Sequence, residues 1–147
     1  MIGFAFDDGG RAAAGYKGRT GDCVIRAIAI ATGQEYKPVY KQFAALNKTR
    51  YGKATGRDGV SPKDFVPALK ELGFERVPNR RGKPLLTFTE AYEEYGDCLV
   101  STTRHLAAIV DGHLRDTGDH RMYWWEGELR ERKARTIYRR VRVARQA

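Results

Sequence analysis

Apolar positions recur along this chain with two periods, a helical one in its first half and an alternating one in its second. Residues 21–33, GDCVIRAIAIATG, put apolar side chains on almost every side of a short helix, as in a helix enclosed within a domain. Gly15, Gly18 and Gly21 form a loop leading into it, and Gly33 can end it in the left-handed conformation. Residues 1–20 otherwise suggest a short strand or arm followed by irregular chain. Gln34-Glu35 opens a second helix, whose Tyr36, Val39, Tyr40, Phe43 and Leu46 recur at helical spacing to about Asn47. Residues 48–59 are basic, glycine-bearing and aperiodic, which predicts an exposed loop. Ser61-Pro62-Lys63-Asp64 is a strong helix start, with serine as N-cap, proline first and an acid third. That helix runs through Phe65, Leu69 and Leu72 to Gly73, with Pro67 one turn inside it.

Residues 74–77 read as a short strand ended by Pro78, and Thr87 or Thr89 can cap a brief helix over 90–95. Beyond that the pattern is of strands. Residues 98–101 and 105–110 are strand-like, and Asp111-Gly112 is a two-residue hairpin signal returning through 113–117. An aromatic strand follows at 122–125. The closing segment alternates Ile137, Val141 and Val143 with arginines, and fits either a last strand or a helix with a basic face. Helices first and an antiparallel sheet afterwards predict an α+β domain.

At 147 residues and 41% hydrophobic composition, the chain can bury a core without metal or disulfide support. No apolar run approaches the roughly 18 residues that span a bilayer, and the first residues lack the pattern of a signal peptide. The expectation is a cytoplasmic protein without membrane contact, whose two cysteines are free thiols. The net charge of +9 is concentrated: residues 130–147 hold eight basic residues against Glu131 alone, or +7 of that total. Attraction to nucleic acid or an acidic protein therefore belongs to this end, with Arg135, Arg139, Arg140 and Arg142 as the candidate contacts.

Cys23 is the candidate for chemistry, because the start of a helix offers unpaired N–H groups and a positive dipole end that favour a thiolate. A cysteine nucleophile needs a base, and the base needs a group that orients it. The bases available are His105, His113 and His120. A hairpin turning at Asp111-Gly112 pairs 110 with 113, 108 with 115 and 107 with 116. His105 and Asp116 then lie diagonally on one face, within reach of each other. His113 faces the other way, and His120 falls in a turn. Cys98 reads as core. Asp7-Asp8 has no accompanying ligands, so neither a metal nor another cofactor is expected. Lys17 and Arg19 among the glycines suggest an anion cradle, but the phosphate-loop spacing is missing. Tyr123-Trp124-Trp125 suggests a platform for a base or a peptide, although buried sheet aromatics are commoner.

Asp22-Cys23 opening a buried helix, with the stretch from His105 to Asp116 following later, resembles the papain-like cysteine peptidases. It is most similar to the bacteriocin-leader-processing peptidases of ABC exporters and their small bacterial and phage relatives. The likeness covers about residues 15–120. It implies a papain-like α+β fold over residues 1–129, with the helix of Cys23 packed on a C-terminal antiparallel sheet and 130–147 as a basic C-terminal segment. It implies Cys23 as nucleophile, His105 as general base and acid, and Asp116 as the residue orienting His105. The oxyanion hole would combine the Cys23 backbone N–H with a glutamine six residues earlier; here that position is Lys17, and Lys17 or Thr20 would have to donate instead. The expected activity is hydrolysis of a peptide or amide bond in a peptide or protein, with acyl transfer as a variant. The alternative is an inactive scaffold, phage-encoded in type, binding a host protein or nucleic acid through its basic end.

Overall fold

A computed structural model describes residues 1–17, 21–52 and 59–141. Its elements run in the order β1 (Gly3–Phe6), α1 (Cys23–Thr32), α2 (Tyr36–Tyr51), α3 (Pro62–Glu71), β2 (Phe74–Arg76), α4 (Phe88–Tyr95), β3 (Cys98–Thr102), β4 (His105–Val110), β5 (His113–Asp116), β6 (Met122–Trp125), β7 (Glu128–Glu131) and β8 (Thr136–Arg140). Among the described residues this is a mixed α+β arrangement of four helices, a six-stranded sheet and a two-stranded ribbon. No helix among them is long and apolar enough to cross a membrane.

Local signals set most of these boundaries. Gly33 ends α1 with φ 70°, in the left-handed region. Thr87 and Glu90 close a capping box at the start of α4, each satisfying the other's backbone N–H. Ser61 stands at the N-cap of α3 with Pro62 behind it, and Pro67 is accommodated inside that helix. The β4–β5 hairpin turns through Asp111 at φ 51° and Gly112 at φ 71°, both left-handed as its two-residue turn requires. Its register pairs Val110 with His113 and Ala108 with Arg115. The second helix extends one turn past the expected Asn47 and stops at Gly52.

The sheet order is β1-β5-β4-β3-β8-β2. The sequence reading of a C-terminal antiparallel sheet is corrected here. β1 from the N-terminus pairs in parallel with β5, making the sheet mixed, and β2 supplies the other edge. Alternation in the central strands buries both faces. Leu99, Ala108 and Tyr138 join Val24, Ile25, Ile28, Val39, Phe43 and Leu69 in one core cluster, under α1, α2 and α3. Cys98, Val100, Ala107, Ile109 and Ile137 join Phe88 and Ala91 of α4 in the other.

Of the two forms open for the closing segment, the strand is present over Thr136–Arg140. It lies inside the sheet, antiparallel to β3 on one side and β2 on the other. The basic segment set apart at residue 130 is therefore built into the fold as far as Arg140. β7, absent from the sequence reading, pairs with β6 in a separate ribbon. On it Trp124 and Trp125 are 71% and 56% exposed, so the expectation of buried sheet aromatics is corrected. The ribbon's strands pair only with each other among the described residues, which leaves these two rings outside the six-stranded sheet.

Candidate active site

The N-terminus of α1 meets the start of β4 and the end of β5 because α1 packs along β4. Cys23 is the first residue of α1, and no side chain caps this helix end. The Cys23 N–H is thus one of the donors that a helix cannot satisfy internally. His105 opens β4 and Asp116 closes β5. His105 Nε2 lies 2.6 Å from Asp116 Oδ2. An ionised carboxylate only accepts hydrogen bonds, so Nε2 carries the hydrogen and Nδ1 is free of that bond. The Cys23 thiol interacts with the His105 imidazole, and each shifts the other's ionisation.

The electrostatics of the three groups follow from these contacts. Burial is the largest influence on Cys23 and pushes its thiol up. The His105 hydrogen bond, a backbone hydrogen bond from Leu106 and the positive charges of His105 and Arg26 outweigh it, leaving the thiol below its ordinary value of 9.0. His105 is raised to about 9, first by its hydrogen bond to Asp116 and then by the one to Cys23, against the effect of burial. Burial pushes Asp116 up, but hydrogen bonds from His105 and His120, the His105 charge and the Thr117 N–H hold its carboxyl far below its ordinary 3.8. Such a set favours thiolate beside imidazolium, and the pair titrates as a unit.

His120, which the sequence places in a turn, proves to be part of the cluster. Its Nε2 lies 2.9 Å from Asp116 Oδ2, and its ring stands edge-on to His105 with centroids 4.9 Å apart. Phe88 packs against its other side, and Arg132 Nε donates to its carbonyl at 2.7 Å. The only hint in the sequence was its place four residues after Asp116, which carries no weight outside a helix.

Arg26 is the second residue that sequence reasoning missed. One turn into α1, its guanidinium pairs with Asp22 and approaches Asp116 Oδ1 at 3.8 Å. Asp22 is fully buried, is also ion-paired with Arg11 at 3.3 Å, and accepts from the Tyr36 hydroxyl. This cluster ties the start of α1 to the loop before it and to α2, and so fixes the position from which Cys23 projects.

The remaining candidates fall elsewhere. Lys17 is exposed and outside the cleft lining, and its backbone carbonyl accepts from Arg11 at 2.9 Å. Thr20 and Arg142 lie outside the described residues. Arg135 donates to Thr103, Arg139 is ion-paired with Glu75, and Arg140 lies over the Phe74 ring and donates to the Ala31 carbonyl. Cys98 is buried, and burial with the nearby Asp97 charge pushes its thiol up to about 12.

His105, Asp116 and His120 each offer one ligand atom, all within 4.8 Å of one another. Two imidazoles and a carboxylate suit a divalent transition metal. Here the same atoms are engaged with each other, and the Arg26 guanidinium beside Asp116 opposes a further cation. Beside Cys23 and His105 opens a cleft of about 910 Å³, whose walls include Val60, Phe65, Leu106 and Tyr138. Compared with known proteins, the chain matches no family model, no curated protein and no solved structure.

Proposed function

We propose that this protein is a cysteine-dependent hydrolase of peptide or amide bonds with a papain-like arrangement of nucleophile, base and orienting acid. The observation that carries the reading is the His105–Asp116 pair, with the Cys23 thiol interacting with the same imidazole, beside a cleft that both Cys23 and His105 line. In it the Cys23 thiolate attacks the acyl carbon, and the oxyanion that forms meets the Cys23 N–H and the positive end of α1. The His105 imidazolium gives its proton to the departing amine, leaving a thioester and a neutral imidazole. That imidazole takes a proton from water, the resulting hydroxide displaces the thiolate, and a carboxylic acid is released. An amine in place of water makes the same enzyme an acyltransferase. Asp116 holds His105 in the required tautomer and steadies its positive form.

The alternative, a binding scaffold acting through its basic end, has less in its favour. Three of its four candidate arginines are engaged within the fold.

The test is the rate at which Cys23 is alkylated by iodoacetamide as a function of pH, in the parent protein and in His105→Ala. The expectation is fast labelling well below about pH 8 in the parent, slowed at least roughly tenfold in the variant. Equal rates in the two proteins would remove the thiolate–imidazolium pair and the hydrolase reading with it.

A further inference from the structure

The cleft beside Cys23 is asymmetric in charge. Its walls are largely apolar, with Val60, Phe65, Val66, Leu106 and Tyr138 among them. Its charged lining, apart from the thiol and imidazole, consists of Arg76 and Arg104, and no aspartate or glutamate lines it among the described residues. Arg104 sits in the tight turn just before His105, and Arg76 stands opposite Tyr138 at the end of β2. Both are exposed, and neither makes an ion pair among the described residues. Two acids next in sequence to lining residues, Asp64 beside Phe65 and Glu75 beside Arg76, are already engaged. Asp64 is buried and takes Arg50 and the Tyr51 hydroxyl, each at 3.0 Å, while Glu75 is held by Arg139.

We infer that the cleft selects acidic peptides: an apolar side chain seated between the aliphatic and aromatic walls, with flanking carboxylates on Arg76 and Arg104. This deepens the proposed function and rests on it, since it takes the space beside Cys23 as the place where substrate binds. Two guanidinium groups without an ion-pair partner among the described residues, beside an apolar trough, disfavour a basic peptide by repulsion. They attract carboxylates bidentately, as the planar fork of arginine allows. A polynucleotide would satisfy the arginines, but its charged backbone has no use for a trough of this character, and it offers no acyl carbon to the thiol.

The experiment measures fluorescence anisotropy of labelled peptides on the full-length Cys23→Ala protein, so that binding is read without turnover. Three peptides share a central leucine flanked by two glutamates, two glutamines or two lysines; a single-stranded oligonucleotide of similar length is the fourth probe. The glutamate peptide is expected to bind at least about tenfold more tightly than the glutamine one at low salt, with the lysine peptide weakest. That preference should shrink by at least about fivefold in Arg76→Gln/Arg104→Asn, asparagine being tolerant of the left-handed backbone at position 104. In protein with Cys23 intact, the ratio of iodoacetate to iodoacetamide labelling rates should fall in the same variant. Equal binding of the glutamate and glutamine peptides, or a preference that survives the double substitution, overturns the inference. So does tighter binding of the oligonucleotide that is lost in the double variant, which would make the cleft a nucleic-acid site. Charge selectivity is read on a protein without its thiol, so its failure leaves the His105 dependence of alkylation untouched; slow alkylation with charge selectivity retained sinks the hydrolase reading alone.

Discussion

Cys23 and Cys98 carry the same thiol, and their surroundings drive it in opposite directions. Both are desolvated, which favours the neutral form, but only Cys23 has an imidazole, a backbone hydrogen bond and a guanidinium charge to offset that effect. Limited iodoacetamide labelling near pH 7 followed by peptide mapping should therefore find Cys23 modified at least roughly a hundredfold faster than Cys98. Two comparable rates would mean that the environments differ less than the contacts require. In the proposed hydrolase the raised His105 sets the other limit on activity. Acylation needs the imidazolium to protonate the leaving group, so kcat/KM should fall as pH rises through about 9, while alkylation of the thiolate continues. In the proposed reaction His120 is a positioning residue that acts through Asp116. His120→Ala should lower kcat by roughly tenfold with KM little changed, whereas His120→Gln, which keeps a donor toward the carboxylate, should recover most of it. Equal loss in both variants would assign His120 a purely structural part.

The helix that carries Cys23 is placed by burial and held by charge. Ile25 and Ile28 sit in the core between α2 and the sheet, and Asp22 at its N-cap joins Arg11, Arg26 and Tyr36 out of water. Removing one member of such a buried set leaves the others with uncompensated charge. Asp22→Ala is expected to cost about 3–5 kcal/mol of stability by denaturant titration, more than Thr87→Ala at the cap of α4, at about 1 kcal/mol. Acid should act at the other end of the cluster. Because the Asp116 carboxyl is held below its ordinary 3.8, the stability it contributes is present at neutral pH. That contribution is lost as pH falls below that value toward the folded-state one. A thermal denaturation series from pH 6 to pH 2 should show this loss flattened in Asp116→Asn. Helices and hairpins of this kind were legible because their signals are local: the glycine after Thr32, the Ser61-Pro62 start, the Asp111-Gly112 turn. Glu126-Gly127 makes a turn with the same left-handed pair of residues, φ 50° and 75°, but glutamate is not a turn signal, and β7 escaped notice for that reason.

For the molecule as a whole, β8 joins the two parts of the sheet. It pairs with β3 and β2 at once, and Ile137 and Tyr138 bury on opposite faces. A chain ending after residue 129 loses this strand and should fail to fold, read as loss of a cooperative thermal transition. A chain ending after residue 141 retains all the strands of the described residues and should still show a cooperative transition. Deletion of the whole basic segment therefore cannot separate a binding role from folding. If the 129-residue chain melts like the parent, the place of β8 in the sheet is wrong.

Alternating and helical patterns, together with turn chemistry, were enough to mark the helix of Cys23 and to set the hairpin register that brings His105 beside Asp116, because those relations span few residues. The partners of the edge strands, the parallel union of the first strand with the fifth, and the arrival of His120 and Arg26 at one carboxylate depend on contacts between distant segments. No local spacing encodes them, and packing both faces of a single sheet is what brings them together.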